Sequence, residues 1–387
     1  MRTVITAKRL WDGSSLIQCP IVSVEDGRIE SIASGNSSEL PAGAQRIDFP
    51  GTTLGPAFFD VHFHGAAGHD VMEASSAALD TIGSFLGTRG TGAYLATTVT
   101  APLQTTLKAV AGLARLIERA PVEGQASPIG IHLEGPFLSH AKRGVQPAAH
   151  LVAPDIRIFD ELYDAAEGHV RLMTLAPELP GAAELTAHAT KRGVRISVGH
   201  SNATAAETRS VIDAGGVSAT HTFNAMRPLD HREPGILGTV LTTDSLFAEL
   251  ICDGIHVAPE IVKLWSRAKG PERGILVTDA MSAAGMPDGE YTLGGFAVQV
   301  EKGRAIADGV LAGSVLTLDR ALANFIRFTG ATVENGLRLL TANPAAMTGF
   351  AQQSGFIRVG RSADLVAIDS VGRLVGSIIG GKRVSVA

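Results

Sequence analysis

Six residues combine a metal-binding side chain with a position where a buried strand would end: His62, His64, Glu134, His200, His221 and Asp279. His62 and His64 form an H-x-H pair. Alternate residues of a strand face the same side, so both imidazoles can converge on one ion. Glu134 closes the run IGIHLE, His200 closes RISVGH, His221 closes VSATH and Asp279 closes ILVTD. Imidazole and carboxylate donors gathered in this way describe a divalent-cation site. Each residue taken alone also has a plainer reading. A lone strand histidine is more often a core or rim residue, Glu134 can satisfy backbone N–H groups near Gly135, and Asp279 can cap a helix. Those readings would have to hold together at six positions, and burying so many ionisable groups without an ion is costly. The metal reading is the stronger one.

The elements that must position these residues repeat along the chain. Eight short apolar runs, most of them ending in a polar residue, follow one another: AFFDVH (57–62), AYLATT (93–98), IGIHLE (129–134), RLMTL (171–175), RISVGH (195–200), VSATH (217–221), FAELIC (247–252) and ILVTD (275–279). Helical patterns lie between them, at 103–119, 156–166 and 203–214 among others. Alternation of this kind predicts an α/β protein with a parallel sheet buried on both faces, and eight repeats predict a (β/α)8 TIM barrel over 55–346. In such barrels chemistry gathers at the C-terminal strand ends, where the six residues fall. Further helical patterns at 315–328 and 333–340 would close the barrel. The ends of the chain have a different texture: short strand-like pieces, with Asp26-Gly27 and Gly35-Asn36 as turns, recur in the tail as ADLVAIDS and LVGSIIGGKRV. Residues 1–54 together with 347–387 are therefore expected to form a small β-sandwich-like domain. The glycine-rich segment 285–295 reads as a hairpin over the site.

Composition narrows the function. No stretch approaches the ~20 apolar residues of a membrane span, and Lys8, Arg9 and Asp12 stand where a signal peptide needs its apolar run. The expectation is a soluble cytoplasmic protein with no membrane partner. A net charge of -5 argues against nucleic acid, though an acidic protein can still present a locally positive pocket to an anionic small molecule. Cys19 and Cys252 match no CxxC pattern and read as buried thiols.

The HxH pair, HLEGP, VGHSNA, THTFNAM, REPG, DGIHV and VTDAMSAAGMPDGEY resemble the N-acetylglucosamine-6-phosphate deacetylases of the amidohydrolase superfamily. The resemblance runs from Gly55 through ANPA (342–345) into the segment 355–369. It implies a metal-dependent hydrolysis of the acetamide of N-acetyl-D-glucosamine 6-phosphate. Glu134, His200 and His221 would hold the principal ion, with Asp279 beside the nucleophilic water as general base and then acid. His62 and His64 allow a second ion, bridged by Glu134. Zinc is the default, and Fe2+ or Mn2+ accept the same donors. Arg232 and His256 would meet the sugar phosphate, helped by Asn224 and Ala225. Arg232 would come from a second subunit, which implies a homodimer; without the resemblance it reads as a surface pair with Glu233. Leu311 would lie near the acetyl methyl, and Gly313-Ser314 reads as a helix entry.

One departure stands out. KRGVQP puts Gln146 where the family often has histidine. Its amide is expected on a sugar hydroxyl or the carbonyl, with His150 partly compensating. Met281 has no reading. Alternatives are deacetylation of N-acetylgalactosamine 6-phosphate or another N-acyl compound, and, more distantly, a non-catalytic amidohydrolase-like scaffold. A scaffold should have lost ligands, and all six are here. Ring-opening relatives of the dihydroorotase kind use a lysine on the fourth strand, and RLMTLAPE (171–178) has none.

Overall fold

A computed structural model of the chain describes residues 2–35 and 43–386; Asn36, half of one expected turn, lies outside them. Eight parallel strands form one sheet in chain order: Phe58–Phe63, Thr91–Thr98, Ser127–Glu134, Val170–Leu175, Arg195–Val198, Gly216–Ala219, Phe247–Ile251 and Gly274–Val277. A helix follows each: Ser76–Thr88, Leu103–Ile117, Ile156–Ala165, Ala182–Lys191, Ala205–Asp213, Gly235–Thr242, Pro259–Arg273 and Leu318–Thr329. This is the (β/α)8 barrel. Local chemistry places the helices. Ala205–Asp213 begins with a capping box in which Thr204 and Glu207 bond each other's backbone N–H. Leu103–Ile117 buries Thr106, Ala109, Val110, Leu113 and Ala114 on one face.

The barrel closes between its first and eighth strands. The Asp279 N–H donates to the His62 carbonyl at 2.9 Å, and Phe63 bridges Ala280. Below them the Thr278 hydroxyl donates to the buried Asp60 carboxylate at 2.6 Å. Burial pushes the Asp60 carboxyl up to about 7, against the pull of these donors. Helices Val333–Leu340 and Ala342–Thr348 pack across this seam.

Both ends of the chain build a second sheet of eight strands. Arg2–Trp11 runs parallel to Gln45–Pro56, and Leu365–Ile368 pairs antiparallel with Thr53–Pro56. Its apolar cluster includes Ile5, Val22, Phe49, Leu54, Leu365 and Ile378. Gln45–Pro56 then runs straight on into the first barrel strand, so the two sheets share one continuous stretch of backbone. Cys252 is buried, but Cys19 is exposed. It sits at φ 47 in the turn that links two short strands of this sheet, which turns its thiol outward. Among the described residues no helix is long and apolar enough to cross a membrane.

The expected hairpin at 285–295 is the start of a larger insertion. Strands Gly289–Leu293, Phe296–Glu301, Arg304–Ala307 and Val310–Leu311 form a four-stranded antiparallel meander between the eighth barrel strand and its helix. Met281, silent in the sequence, is wholly buried beneath it with Val99, Leu293, Val298 and Ala312. Gly313-Ser314 is not a helix entry. Ser314 pairs with Ala280 and donates its N–H to the Asp279 carbonyl at 2.7 Å, while the helix starts later, after Thr317. Gly313 has φ 63, and a Cβ there would lie 2.9 Å from the Asp279 carbonyl, so only glycine fits this approach.

Candidate metal centre

Four of the six expected ligands stand beyond their strands rather than on them, His64 directly after Phe63 and the other three one residue further out. The fifth, sixth and eighth strands stop at Val198, Ala219 and Val277, and His200, His221 and Asp279 follow with φ of 46, 27 and 50. This left-handed backbone is uncommon for residues with a side chain and collects at functional sites. Here it turns the chain away from the barrel wall just where a side chain must face the axis. Gly199 makes room for the turn: a Cβ there would come within 2.8 Å of the Thr220 Cβ.

The six side chains meet at the mouth of the barrel, and all are buried. They fall into two triads, His62–His64–Asp279 and Glu134–His200–His221. Glu134 Oε1 lies 3.1 Å from His200 Nε2, 3.2 Å from His221 Nε2 and 3.3 Å from His62 Nε2. Its Oε2 lies 3.4 Å from His64 Nε2. Asp279 Oδ1 is 3.2 Å from His64 Nε2 and 3.5 Å from His62 Nε2. Glu134 thus touches both triads.

The donors fit a cation. Ligands ~2.0–2.1 Å from a tetrahedral ion stand about 3.3 Å apart, which is the spacing found here. Three of the four imidazoles also have their other nitrogen engaged by an acceptor. His62 Nδ1 faces Glu249 at 3.2 Å, His64 Nδ1 the Thr97 carbonyl at 3.0 Å, and His200 Nδ1 the Lys142 carbonyl at 3.1 Å. Each Nδ1 faces an acceptor and is placed to donate to it, which aims each Nε2 inward, where it can ligate. His62 and His64 then oppose Nε2 to Nε2 at 3.2 Å, and His200 and His221 do so at 3.1 Å. As neutral rings they would set lone pair against lone pair, a repulsion that a shared cation removes.

Electrostatics agrees. Burial opposes charge on Glu134, but His62, His200 and His221 hold its carboxyl well below the usual range. Burial likewise opposes ionisation of Asp279, and His62 and His64 outweigh it to hold that carboxyl at about 2. Burial also disfavours imidazolium, yet Asp279 and Glu134 raise His62 well above its ordinary value and His64 to about 9. In cation-free protein these histidines therefore carry protons at neutral pH, and an entering cation must displace them. Zinc binding is expected to release protons at pH 7, and affinity to rise as pH approaches about 9. A zinc titration in weakly buffered indicator dye reads this directly; binding without proton release at pH 7 would refute it.

The expected substrate contacts are spread around this centre. His256 sits beyond the seventh strand with Nδ1 2.6 Å from Asp253 Oδ2, which leaves Nε2 available. Asn224 and Ala225 lie in the loop after His221, and the Asn224 amide donates to the His221 carbonyl at 3.1 Å. Leu311 is half-buried in the last strand of the meander. Arg232 is exposed, and among the described residues its guanidinium makes no hydrogen bond or ion pair; its backbone N–H donates to Asp230 Oδ1 at 2.8 Å. The surface pair with Glu233 is absent, because that carboxylate accepts from the Ala205 and Gly235 N–H groups instead.

Gln146 differs most from expectation. It is buried, its Oε1 accepts from the Thr100 N–H at 2.8 Å, and its Nε2 donates to Glu134 Oε2 at 2.7 Å. The amide steers the central carboxylate instead of standing open to a sugar. His150 does not compensate; it lines a separate cavity with Leu103, Thr106 and Leu162. On the fourth strand Thr174 bonds His132 Nε2 at 2.8 Å and Thr220 at 2.7 Å, so no lysine enters the centre from there.

Two residues that the sequence reading passed over support the site. His132 is wholly buried, and burial drives it well below its ordinary pKa, so it packs as a neutral ring edge-on to His62. Glu249 bonds His62 from the seventh strand. The available signal was a polar residue at an inward position of an apolar strand, IGIHLE in one case and FAELIC in the other.

Residues 53–384 match the amidohydrolase family. The chain is 37% identical over 371 residues to an N-acetylgalactosamine-6-phosphate deacetylase of Escherichia coli O157:H7, covering 96% of each chain. It is 36% identical over 366 residues to an N-acetylglucosamine-6-phosphate deacetylase of Bacillus subtilis (strain 168), covering 92% of this chain and 90% of that one. Among solved structures it is similar to a mutant N-acetyl-D-glucosamine-6-phosphate deacetylase from Mycobacterium smegmatis, in complex with N-acetyl-D-glucosamine 6-phosphate. That match has a TM-score of 0.91 and 33% identity and covers 99% of each chain.

Proposed function

The chain belongs to the amidohydrolase family, and on that premise we propose that it hydrolyses the acetamide of N-acetyl-D-glucosamine 6-phosphate to D-glucosamine 6-phosphate and acetate. The observation that carries this reading is the meeting of both triads on Glu134. An amide is a poor electrophile and its amine a poor leaving group, so the site must activate both water and carbonyl. A divalent cation, zinc in our reading, supplies Lewis acidity that polarises the carbonyl and acidifies water to a pKa of about 7. Glu134, His200 and His221 would hold it, and His62, His64 and Asp279 would hold a second.

Asp279 is the proton carrier. Its carboxylate is ionised at neutral pH, so it can accept a proton from water and pass it to the departing nitrogen. Its backbone is clamped on both sides, N–H to the His62 carbonyl and carbonyl to the Ser314 N–H, which keeps the carboxylate on station. His256, braced by Asp253, presents Nε2 to the substrate phosphate. Arg232, exposed and unpaired within the described chain, reaches the phosphate bound in a partner subunit.

Arg232→Ala is expected to raise KM for the phosphorylated sugar about 10–100-fold with a smaller change in kcat, since a charged hydrogen bond is worth ~1.5–3 kcal/mol. Steady-state kinetics reads the split. Mixing Arg232→Ala with Asp279→Asn subunits should restore activity if the residue acts across a dimer, and no recovery after subunit exchange would place it in its own site.

The function itself is tested by acetate release from N-acetylglucosamine 6-phosphate, its galacto epimer and unphosphorylated N-acetylglucosamine, with zinc supplied. Preferred turnover of the phosphorylated gluco sugar supports the reading. A preference for the galacto epimer reassigns the substrate, and silence on all three with metal bound points to other N-acyl compounds.

A further inference from the structure

One carboxylate at the centre has no part in the reaction described above. Glu249 is wholly buried on the seventh strand and faces the barrel axis. Its Oε2 lies 3.2 Å from His62 Nδ1 and accepts from the His221 N–H at 3.3 Å, while Oε1 has no partner among the described residues. No lysine or arginine pairs with it among the described residues. Such a group is strongly disfavoured unless positive charge stands nearby.

We propose that Glu249 is the positioning residue for a second divalent cation at His62, His64 and Asp279, and that the chain holds two ions because it has this carboxylate. The inference rests on the metal reading above and deepens it. Two arguments carry it. The first is orientation. By accepting from Nδ1, Glu249 fixes the tautomer of His62 and aims Nε2 at the centre, as outer carboxylates do for metal-bound histidines generally. On the other triad its carboxylate reaches the His221 main-chain N–H and not a ligating ring. The side chains of that triad have their own supports: the His200 ring rests on the Lys142 carbonyl and the Glu134 carboxylate on Gln146. The second is charge. With every imidazole neutral as a ligand, Glu134 and Asp279 together balance one dication. Glu249 adds one of the two further negative charges that a second dication needs in so dry a place, and the activated water can supply the other as hydroxide.

The test counts ions on the intact protein. Wild type, Glu249→Gln and Glu249→Ala are stripped of metal and titrated with zinc against a chelating dye, and Co(II) absorption follows each site. Glu249→Gln keeps shape and an acceptor for Nδ1 but removes the charge, so it guards against a variant that fails to fold. The expected result is two equivalents in wild type. In both variants the first should be unchanged and the second weakened about 10–100-fold, with the glutamine variant less affected than alanine. Equal binding of both ions in all three proteins overturns the proposal, as does parallel weakening of both, which would mark a merely structural role. A wild type that takes only one equivalent also overturns it. In that case acetate release by wild type still reports separately on the reaction.

Discussion

Asp279→Asn is expected to lower kcat by roughly a thousandfold while the ion at Glu134, His200 and His221 stays bound. The amide has nearly the same shape and keeps an oxygen toward His64, 3.2 Å away in the native site. Both backbone clamps survive, because they involve only the main chain. What disappears is a basic oxygen that can take a proton from water and return it to the leaving nitrogen. A loss confined to proton transfer should appear in kcat more than in KM. The check is zinc content by mass spectrometry beside steady-state acetate release. A variant with one tightly held zinc and near wild-type turnover would end the assignment of Asp279 as proton carrier.

Glu134→Ala should be the more drastic change, because it empties the centre. One carboxylate stands within 3.4 Å of four imidazoles, with Oε1 toward His62, His200 and His221 and Oε2 toward His64. Without it, each triad loses its shared anion and the Gln146 amide loses its acceptor. Zinc should fall to trace levels and turnover to background. The zinc-dependent rise in melting temperature should vanish with it, since a ligand stabilises only the state that binds it. Retention of one tight zinc by the variant would show that the histidines suffice and that Glu134 is no bridge.

Much of this was legible along the chain because it is local. The apolar runs have the length and texture of buried parallel strands, and a ligand type at the end of a run needs no partner to be recognised. The HxH spacing puts two imidazoles on one face by the pleat alone. The caps and apolar faces of the helices likewise depend on residues three and four apart.

What the tertiary structure alone decided depends on barrel closure, which brings together residues far apart in sequence. Strand ends were expected at His200, His221 and Asp279, but the strands stop two residues earlier and the ligands adopt left-handed backbone. No local propensity favours that geometry; it is held by long-range bonds such as Ser314 to Asp279. Gln146 reads as a sugar contact because it stands where the resembled family often has a histidine. Its amide was claimed instead by Thr100 and Glu134, 46 and 12 residues away. Glu249 was passed over for the same reason: its meaning lies in His62, 187 residues earlier. The residue types set out what chemistry the chain can perform. Which atoms face the ion, and which merely hold those atoms in place, was settled only when the first and eighth strands met.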